Sequence, residues 1–278
     1  MQSRISFEFF PPRTEEQQLV LESTWQKLAP LGPEYLSVTF GAGGSTLQAT
    51  RETVAALGAW TDVPVAPHIS CMADSEGMLR DLLQSYREQG VHRLVVLRGD
   101  RPDGTTGPGP FQYANELVAW IRREFGDTFH IEVACYPEFH PESASPKTEM
   151  RYFKQKVEAG ADGATTQYFY NSDCYFRFVD DCHRSGIDIP ITPGIMPITN
   201  YRQLARFSDM CGAEIPRWIR RRLEGYGEDG ASIRAFGLDV VTELCERLLQ
   251  GGAPGLHIYT LNRANASFLL WQRLNRKA

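Results

Sequence analysis

Several features are missing from this chain of 278 residues, and each absence excludes a class of protein. No apolar stretch approaches the roughly 20 residues of a membrane span. Glu8, Pro11 and Pro12 stand where a secretory signal would need its apolar core. The net charge is −5, so no basic excess favours binding to a nucleic-acid backbone. We therefore expect a cytoplasmic protein with no membrane partner and no nucleic-acid partner.

Motifs of several common enzyme classes are also missing. The six cysteines form no C-x-x-C pair, which predicts reduced, mostly buried thiols. Neither a Walker phosphate-binding motif nor a Gly-x-Ser-x-Gly nucleophile elbow is present. The glycine-rich segment 41–45 resembles a dinucleotide-binding loop, but Thr46 stands where that fingerprint has its last glycine. A flexible turn is the better interpretation of this segment.

A metal site is not expected either. Acids and histidines near predicted strand ends could supply ligands, namely His68, Glu138, His140, Glu142 and His257. However, the chain lacks the strand-end H-x-H pair that metal-dependent barrel hydrolases usually carry. Single histidines are more often hydrogen-bonded core residues or ligand contacts.

Strand-like and helix-like segments alternate along the whole chain. Apolar, β-branched runs predict strands at 4–10, 35–40, 64–69, 92–98, 130–136, 163–168, 189–193 and 255–260. Amphipathic stretches predict helices at 14–29, 46–59, 75–89, 112–125, 148–159, 173–185, 200–211 and 232–250. Eight such units without a linker predict a parallel α/β fold, a (β/α)8 TIM barrel formed by residues 1–278 as a single domain. Residues 212–228 add an extra helix or loop between the seventh and eighth strands, and 263–274 form a last helix.

Polar residues gather where the predicted strands end, which is where barrels of this kind carry their chemistry. Each polar group that leaves a buried strand costs free energy if it stays unpaired, so a convergent ring of them favours a ligand site. The members of this ring are Glu8, Thr39, His68, Arg98, Asp100, Tyr136, Glu138, His140, Gln167, Tyr259 and Asn262.

Glu8 is the most informative member of the ring. It lies in segment 6–12 (SFEFFPP), a short strand-like run with three phenylalanines that two prolines end. Desolvation among aromatic rings disfavours the charged carboxylate, so we expect a raised pKa, which suits a general acid at neutral pH. The alternative is an ordinary strand whose one polar residue faces water.

The composition of the ring suits a large organic cofactor. Arg98 and Lys156 could pair with a pyrophosphate, the arginine as a bidentate fork and the lysine as a point charge. Aromatic side chains that could stack on flat rings, or equally pack in the core, are Tyr136, Tyr152, Phe169 and Phe207.

The sequence resembles the bacterial flavin-dependent methylenetetrahydrofolate reductases along almost its whole length. The matching stretches follow in order, each at a predicted strand end or just after it. They are 7–12 (FEFFPP), 37–42 (SVTFGA), 66–68 (APH), 97–100 (LRGD), 136–138 (YPE), 140–142 (HPE), Lys156 with 159–161 (AGA), 166–167 (TQ), 193–195 (PGI) and 259–263 (YTLNR).

The resemblance implies an FAD enzyme that reduces 5,10-methylenetetrahydrofolate to 5-methyltetrahydrofolate, the methyl donor for methionine synthesis. A reduced nicotinamide, NADH in most bacterial members, would give hydride to the flavin and leave before the folate binds in the same pocket. The family also implies a homo-oligomer. Two alternatives stay open: another flavin barrel oxidoreductase of the proline dehydrogenase type, and a catalytically silent barrel that binds folate or a partner protein.

The resemblance also implies roles for individual residues. Glu8 matches the general acid that protonates folate N10, and Asp100 matches the acid that contacts flavin and pterin and stabilises the 5-iminium cation. Further substrate contacts fall on Thr39, Gln167, Gln203, Phe207 and Arg263. FAD contacts fall on Phe40, Ala42, His68, Arg98, Gly99, Asp100, Ala114, Tyr136, His140, Ser143, Glu149, Tyr152, Gln155 and Lys156.

Four positions depart from the family pattern, and one of them, Asn171 in place of the usual aspartate, carries no inference. Phe40 stands where many relatives have tyrosine, so a hydroxyl contact is lost. Glu149 and Gln155 replace the expected aspartate and arginine near the ribose and phosphate end of the cofactor. Recognition of the adenosine half is therefore where this chain is expected to differ most from the family.

Overall fold

Strands and helices alternate in a computed structural model that describes residues 4–40, 47–72, 75–99 and 109–275. The strands are β1 (Ile5–Phe9), β2 (Tyr35–Val38), β3 (Val65–Ser70), β4 (Arg93–Leu97), β5 (His130–Cys135), β6 (Gly163–Thr166), β7 (Ile191–Thr192), β8 (Gly194–Ile195) and β9 (Leu256–Tyr259). The α-helices are α1 (Glu15–Leu28), α2 (Leu47–Trp60), α3 (Glu76–Glu88), α4 (Ala114–Phe125), α5 (Pro146–Glu158), α6 (Ser172–Arg184), α7 (Tyr201–Cys211), α8 (Arg217–Tyr226), α9 (Gly230–Gln250) and α10 (Ala264–Asn275).

All the strand pairs are parallel, in the order β7-β6-β5-β4-β3-β2-β1-β9-β8. The two ends of this order meet at one strand position, because β7 and β8 are separated only by Pro193. Proline has no N–H to donate, so it interrupts the strand. β7 pairs with β6, β8 pairs with β9, and the Pro193 carbonyl accepts the backbone N–H of His257 at 3.0 Å. Counted this way, eight strand positions close the (β/α)8 barrel that the sequence predicted.

The segment between the seventh and eighth strand positions carries more than one helix, as expected. α8 occupies part of the predicted insertion at 212–228, and the long α9 follows it. α10 packs against α1 and α9 on the outside of the barrel, next to the first and last strands. None of the helices in the described parts of the chain is long and apolar enough to cross a bilayer.

The outer face of the strands carries the main apolar core. Phe7 and Phe9 of β1 are fully buried in it, together with Leu36 and Val38 of β2. Successive side chains on a strand point to opposite faces, so the residues between them point into the barrel. Among the described residues, the second apolar cluster is small: it consists of Tyr35, Ala66 and Val95, with the half-buried Leu97 packed against it.

An ion pair fills part of the barrel interior near the amino ends of the strands. Arg93 Nη1 donates to Glu132 Oε1 at 2.9 Å, and the Arg93 guanidinium lies 4.4 Å from the centroid of the Tyr35 ring. His130 Nε2 lies 2.9 Å from the same Glu132 oxygen. These contacts compensate the desolvation of the buried carboxylate.

All six cysteines lie in described parts of the chain and form no disulfide. Five are buried and Cys211 is half-buried, so the prediction of mostly buried free thiols is confirmed.

Candidate active site

The Glu8 carboxylate lies between two histidines near the carboxyl ends of the strands. Its Oε2 is 3.4 Å from His68 Nε2 on β3 and 3.6 Å from His257 Nε2 on β9. The Glu8 side chain keeps 20% of its surface exposed, whereas the histidine side chains keep 7% and 3%. The Glu8 carboxylate is therefore partly accessible to solvent, while its Oε2 contacts the two imidazoles.

In this environment the pKa of Glu8 is shifted in the direction opposite to the predicted one. Burial alone raises the pKa of the carboxyl group. Long, weak hydrogen bonds to His257 and His68 and the positive charge of these imidazoles outweigh that effect and lower the pKa to about 2. The expectation of a raised pKa in the free protein was wrong. Without a bound ligand, Glu8 is a carboxylate at neutral pH.

The reason lies in the geometry of the strand. Phe7 and Phe9 are neighbours of Glu8 in sequence, but they point to the opposite face, where both are fully buried. The inward neighbours of Glu8 come from other strands: Ser37 on β2 and Tyr259 on β9 are its paired positions. A heptapeptide alone cannot reveal these partners.

His257 is the functional candidate that sequence reasoning missed. It was considered only as a metal ligand, although its strand was predicted. Its Nδ1 lies 2.7 Å from Ser6 Oγ, and Ser37 Oγ lies 3.5 Å from its Nε2. The signal was available in the pairing of the first and last strands, because Ser6 and His257 are directly opposite each other. Among the described residues, no group of three or more His, Cys, Asp or Glu side chains is placed to hold a metal ion.

Two buried polar atoms near Glu8 lack a well-formed hydrogen bond within the described residues. Thr39 Oγ1 is one, and His68 Nε2 is the other, because its 3.4 Å approach to Glu8 is an ion-pair distance rather than a good hydrogen bond. Unpaired buried polar groups are costly, and a bound ligand is one way to satisfy them. Thr39 and His68 are both residues for which the sequence predicted ligand contacts.

The other predicted substrate contacts follow β6, lie on α7 or follow β9. Gln167 follows β6, and its amide oxygen accepts the backbone N–H of Tyr168 at 3.0 Å. Gln203 and Phe207 are half-buried, one turn apart on α7, and Arg263 is an exposed side chain between β9 and α10. The predicted catalytic residue Asp100 and the predicted FAD contact Ala42 lie outside the described residues.

Three members of the predicted polar ring have structural partners instead. The Asn262 side chain donates to the Phe10 carbonyl at 2.8 Å and accepts the Phe10 N–H at 3.1 Å. The Tyr259 hydroxyl donates to the Thr166 carbonyl at 2.7 Å. Glu138 accepts the backbone N–H of Glu214 at 2.9 Å, and burial raises the pKa of Glu138. These side chains shape the mouth of the barrel.

The close approach of Tyr259 requires glycine at position 194. A Cβ on Gly194 would lie 2.2 Å from the Thr166 carbonyl oxygen and 2.6 Å from the Tyr259 hydroxyl oxygen. Any side chain there would push Tyr259 away from the barrel wall.

Cationic groups lie on the side of the mouth formed by β4 and β5. Arg98 donates to Glu142 through its two terminal guanidinium nitrogens, Nη1 at 2.5 Å and Nη2 at 3.0 Å, a fork geometry that equally fits a diphosphate. Lys156 Nζ donates to the Ala134 carbonyl at 2.5 Å, and burial lowers the pKa of Lys156. The donor set on this side of the mouth therefore fits an anionic cofactor.

The remaining predicted FAD contacts lie near these cations. Gly99 follows Arg98, and Phe40 and Tyr136 follow β2 and β5. The Tyr136 ring lies perpendicular to His140, with 4.8 Å between centroids. The others lie before or on two neighbouring helices: Ala114 begins α4, Ser143 precedes α5, and Glu149, Tyr152 and Gln155 lie on α5.

Two of the contacts near the adenosine end are already engaged with each other. Glu149 is buried and accepts the Ser143 hydroxyl at 2.5 Å.

Phe169, an aromatic candidate for stacking on a flat ligand, is instead fully buried and stacks on Tyr175 with 5.8 Å between centroids. Phe169 is therefore a core residue.

A cavity of about 230 Å³ opens beside His68 at the ends of β2 and β3, with Phe40, Ser70 and Met72 in its wall. A larger cavity of about 520 Å³ lies outside the barrel between α1, α9 and α10, and it includes Arg263 but none of the Glu8 cluster. Neither lining includes Glu8, but the smaller cavity reaches His68, whose Nε2 lies 3.4 Å from Glu8 Oε2.

Comparisons with known proteins agree with this geometry. The model of the methylenetetrahydrofolate reductase family matches residues 1–275. The 5,10-methylenetetrahydrofolate reductase of Pectobacterium carotovorum subsp. carotovorum is 38% identical over 270 residues, which are 97% of this chain and 89% of that protein. Methylenetetrahydrofolate reductase (NADH) 1 of Arabidopsis thaliana is 38% identical over 274 residues, which are 94% of this chain and 46% of that protein.

Solved structures show the same fold. An uncharacterized protein from Clostridium thermocellum, described as binding two copies of 5-methyl-5,6,7,8-tetrahydrofolic acid, has a TM-score of 0.68 at 16% identity and covers 100% of this chain and 96% of its own. Together with the family match over residues 1–275, these findings identify the chain as an oxidoreductase that belongs to the methylenetetrahydrofolate reductase family.

Proposed function

We propose that this protein uses FAD and a reduced nicotinamide to reduce 5,10-methylenetetrahydrofolate to 5-methyltetrahydrofolate. The observation that carries the proposal is the Glu8 carboxylate at the barrel mouth, held between His68 and His257. A site built only for binding has no need of a carboxylate between two imidazoles. The Arabidopsis relative named for NADH supports NADH as the reductant.

The residues on the β4 and β5 side fit FAD. Arg98 would exchange Glu142 for the diphosphate, Lys156 would add a second positive charge, and Tyr136 offers an aromatic face. The Thr39 hydroxyl, which is buried and without a partner in the described residues, gains one when a ligand enters. Bound FAD would supply hydride transfer, accepting hydride from the nicotinamide and delivering it to the folate.

Glu8 would deliver the proton. In the free protein its pKa is about 2, so the proton must arrive when substrate binds. A folate that covers the exposed edge of Glu8 removes the remaining water and disfavours the carboxylate form. The imidazoles of His68 and His257 lie 3.4 and 3.6 Å from the carboxylate, so one of them could pass a proton to Glu8 and onward to folate N10. Opening of the five-membered ring then gives the 5-iminium cation that accepts hydride.

Other residues would bind and orient the substrates. Gln167 would offer its amide group to whichever substrate is present, and Phe207 would offer its half-buried ring for stacking. Gln203 and Arg263 would add further contacts to the folate. Asp100 would stabilise the positive charge of the iminium cation. Because nicotinamide and folate would share this pocket, the two half-reactions would alternate in a ping-pong sequence.

The wider proposals follow from family membership. We propose that the product serves methionine synthesis, that the protein works in the cytoplasm as a homo-oligomer, and that residues 1–278 act as one domain. Size-exclusion chromatography with light scattering tests the oligomer directly.

Reconstitution tests the central proposal. The purified protein is incubated with FAD, freed of excess flavin, and mixed anaerobically with NADH, NADPH, proline or methylenetetrahydrofolate while flavin absorbance is recorded. The proposal requires that a reduced nicotinamide bleaches the flavin and that methylenetetrahydrofolate restores its colour. Failure to retain FAD would overturn it, and bleaching by proline would favour the proline dehydrogenase type.

A further inference from the structure

We propose that the outer cavity, the one between α1, α9 and α10, binds a small amphipathic carboxylate whose charged head lies at Lys27 and Arg263. This site is separate from the Glu8 cluster and goes beyond the proposed reductase function. The volume of the outer cavity is about 520 Å³, within the range of about 300–1,000 Å³ that is typical of small-molecule sites.

The charges around the outer cavity are all of one sign. Lys27 of α1, Arg234 of α9 and Arg263, which precedes α10, belong to its lining, and none of the described lining residues is an acid. The whole chain has a net charge of −5, so this local excess of cations runs against the average composition. A cavity lined by one sign of charge concentrates ligands of the opposite sign, here anions.

Lys27 and Arg263 are the cations that remain available to a ligand. Lys27 Nζ donates to the side-chain oxygen of Asn265 and lies 5.3 Å from the centroid of the Phe268 ring. Neither partner carries a charge, and within the described chain no acid forms an ion pair with Lys27 or Arg263. An entering carboxylate would therefore meet two positive charges that no other anion neutralises.

Arg234 is less available because it lies beside an acid. A hydrogen bond from Ser232 and, to a smaller extent, the positive charge of Arg234 lower the pKa of Asp229. Asp229 caps α9 one turn before Arg234, and it is not part of the described cavity lining. We therefore assign the head group of the ligand to Lys27 and Arg263.

The position of the apolar body follows from α10. Asn265, the partner of Lys27, lies in the first turn of this helix, and Leu269 and Leu270 lie four and five residues further along. At a rise of about 1.5 Å per residue, this separation is about 6–8 Å. Both leucines line the cavity, and Leu269 is 46% exposed. A carboxylate with an apolar chain or ring of this length would cover them.

The walls of the outer cavity are formed before any ligand arrives. A Cβ on Gly237 would lie 2.3 Å from the Ile198 carbonyl oxygen, so α9 packs closely on the segment that follows β8. The Thr24 hydroxyl on α1 donates to the Asn262 carbonyl at 3.0 Å, which ties the opposite wall to the barrel. All four residues line the cavity. A preformed site loses little conformational entropy on binding.

Arg263 is also a predicted folate contact, so the experiment has to separate a carboxylate ligand from the folate. Anilinonaphthalene sulfonate, an anionic dye that fluoresces at apolar surfaces, is bound to the whole protein and displaced by octanoate. Octanoate should be at least about fivefold more effective than n-octanol or octylammonium, which have the same chain without the negative charge. 5-Methyltetrahydrofolate is included as a further competitor.

Variants locate the binding of octanoate. Lys27→Met removes the charge but keeps an unbranched side chain, and Leu269→Ser removes apolar surface from the wall. Each should weaken octanoate binding about fivefold, whereas Lys27→Arg should stay close to the wild type. Lys147→Met on α5 and Leu19→Ser on α1 are the matched controls, because both side chains are exposed and lie outside the described lining. They should bind octanoate like the wild type.

Four results would overturn the carboxylate site. They are no displacement by octanoate, equal displacement by n-octanol, an equal loss of affinity in the control variants, and unchanged affinity in both Lys27→Met and Leu269→Ser. Displacement by 5-methyltetrahydrofolate that weakens in Lys27→Met would instead assign the cavity to the folate. Loss of dye binding as the protein associates, followed by light scattering, would assign it to a second copy of the chain. None of these results bears on flavin reduction, so the proposed function stands or falls by the reconstitution experiment alone.

Discussion

At the scale of single residues, the environment of the Glu8 side chain is set by residues of other strands more than by its neighbours in sequence. Glu8 was identified from the sequence as the candidate acid, but its three adjacent phenylalanines suggested the wrong environment. His68 comes from 60 positions away and His257 from the last strand, so only the closed barrel brings them to Glu8. Hydrogen bonds between distant strands cannot be inferred from local composition.

The lowered pKa of Glu8 makes a prediction about acid stability. A carboxyl group with a folded-state pKa of about 2, against an ordinary value of 4.5, stabilises the fold above pH 4.5 and loses that contribution as the pH falls toward 2. Urea unfolding between pH 2 and pH 7 should show this loss in the wild type and a smaller loss in Glu8→Gln. Glu16→Gln, an exposed side chain of α1, is the control. Identical pH profiles for the wild type and Glu8→Gln would contradict the lowered pKa.

The fork between Arg98 and Glu142 makes a second prediction. The Glu142 carboxylate contacts the two terminal guanidinium nitrogens that we assign to the cofactor diphosphate, so Glu142→Gln should remove one competing anion and strengthen FAD binding. Exposed ion pairs contribute roughly 0.2–1 kcal/mol, so the gain should be at most about fivefold, measured by flavin titration. Glu124→Gln breaks a comparable fork with Arg80 away from the mouth and should change nothing. Weaker FAD binding in Glu142→Gln would show that Glu142 positions Arg98 instead of competing for it.

At the scale of helices and strands, local signals predicted most of the elements. Asn200 caps α7 with its side chain, and Gly90, Gly160 and Gly186 follow helix ends with the positive φ angles that glycine adopts there. Asn171 caps α6, and its side chain accepts the backbone N–H of Asp173. Caps and end glycines depend on neighbours a few positions away, which explains why sequence predicts them well.

The cap of α7 links an element to the site. Asn200 Oδ1 accepts the backbone N–H of Gln203 at 2.8 Å, at the start of the helix that carries Gln203 and Phe207. Asn200→Ala should lower the free energy of unfolding by about 1 kcal/mol and raise KM for the folate, because the first turn of α7 frays. Ser75→Ala removes the comparable cap of α3, where Ser75 accepts the Met78 N–H, and should lower stability without changing KM. If Asn200→Ala and Ser75→Ala had the same KM for the folate, the cap of α7 would have no specific role in substrate binding.

At the scale of the whole molecule, alternation of strands and helices was enough to predict the barrel. It did not predict how the barrel closes, because strand run 189–193 looked continuous and the structure divides the seventh position at Pro193. Nor did it predict the polar interior, which depends on the register between strands. Arg93 and Glu132 come from adjacent strands and meet only in the assembled barrel.

The interior ion pair predicts an asymmetry between single and double variants. Arg93→Met leaves the buried Glu132 carboxylate without its main cation and should lower the free energy of unfolding by about 3 kcal/mol or more. The double variant Arg93→Met with Glu132→Leu removes both charges and should recover part of that loss. Urea denaturation measures both. If the double variant were less stable than Arg93→Met alone, the predicted recovery would be contradicted.

The most direct test of the account follows the two half-reactions of Glu8→Gln separately. In anaerobic stopped-flow, NADH should reduce the bound flavin of the variant at close to the wild-type rate, because hydride transfer to flavin needs no proton from Glu8. Reoxidation by methylenetetrahydrofolate should slow by about 100-fold or more, in line with the contribution of a general acid. Equal slowing of both half-reactions, or a normal rate with folate, would contradict the assignment of Glu8 as the acid.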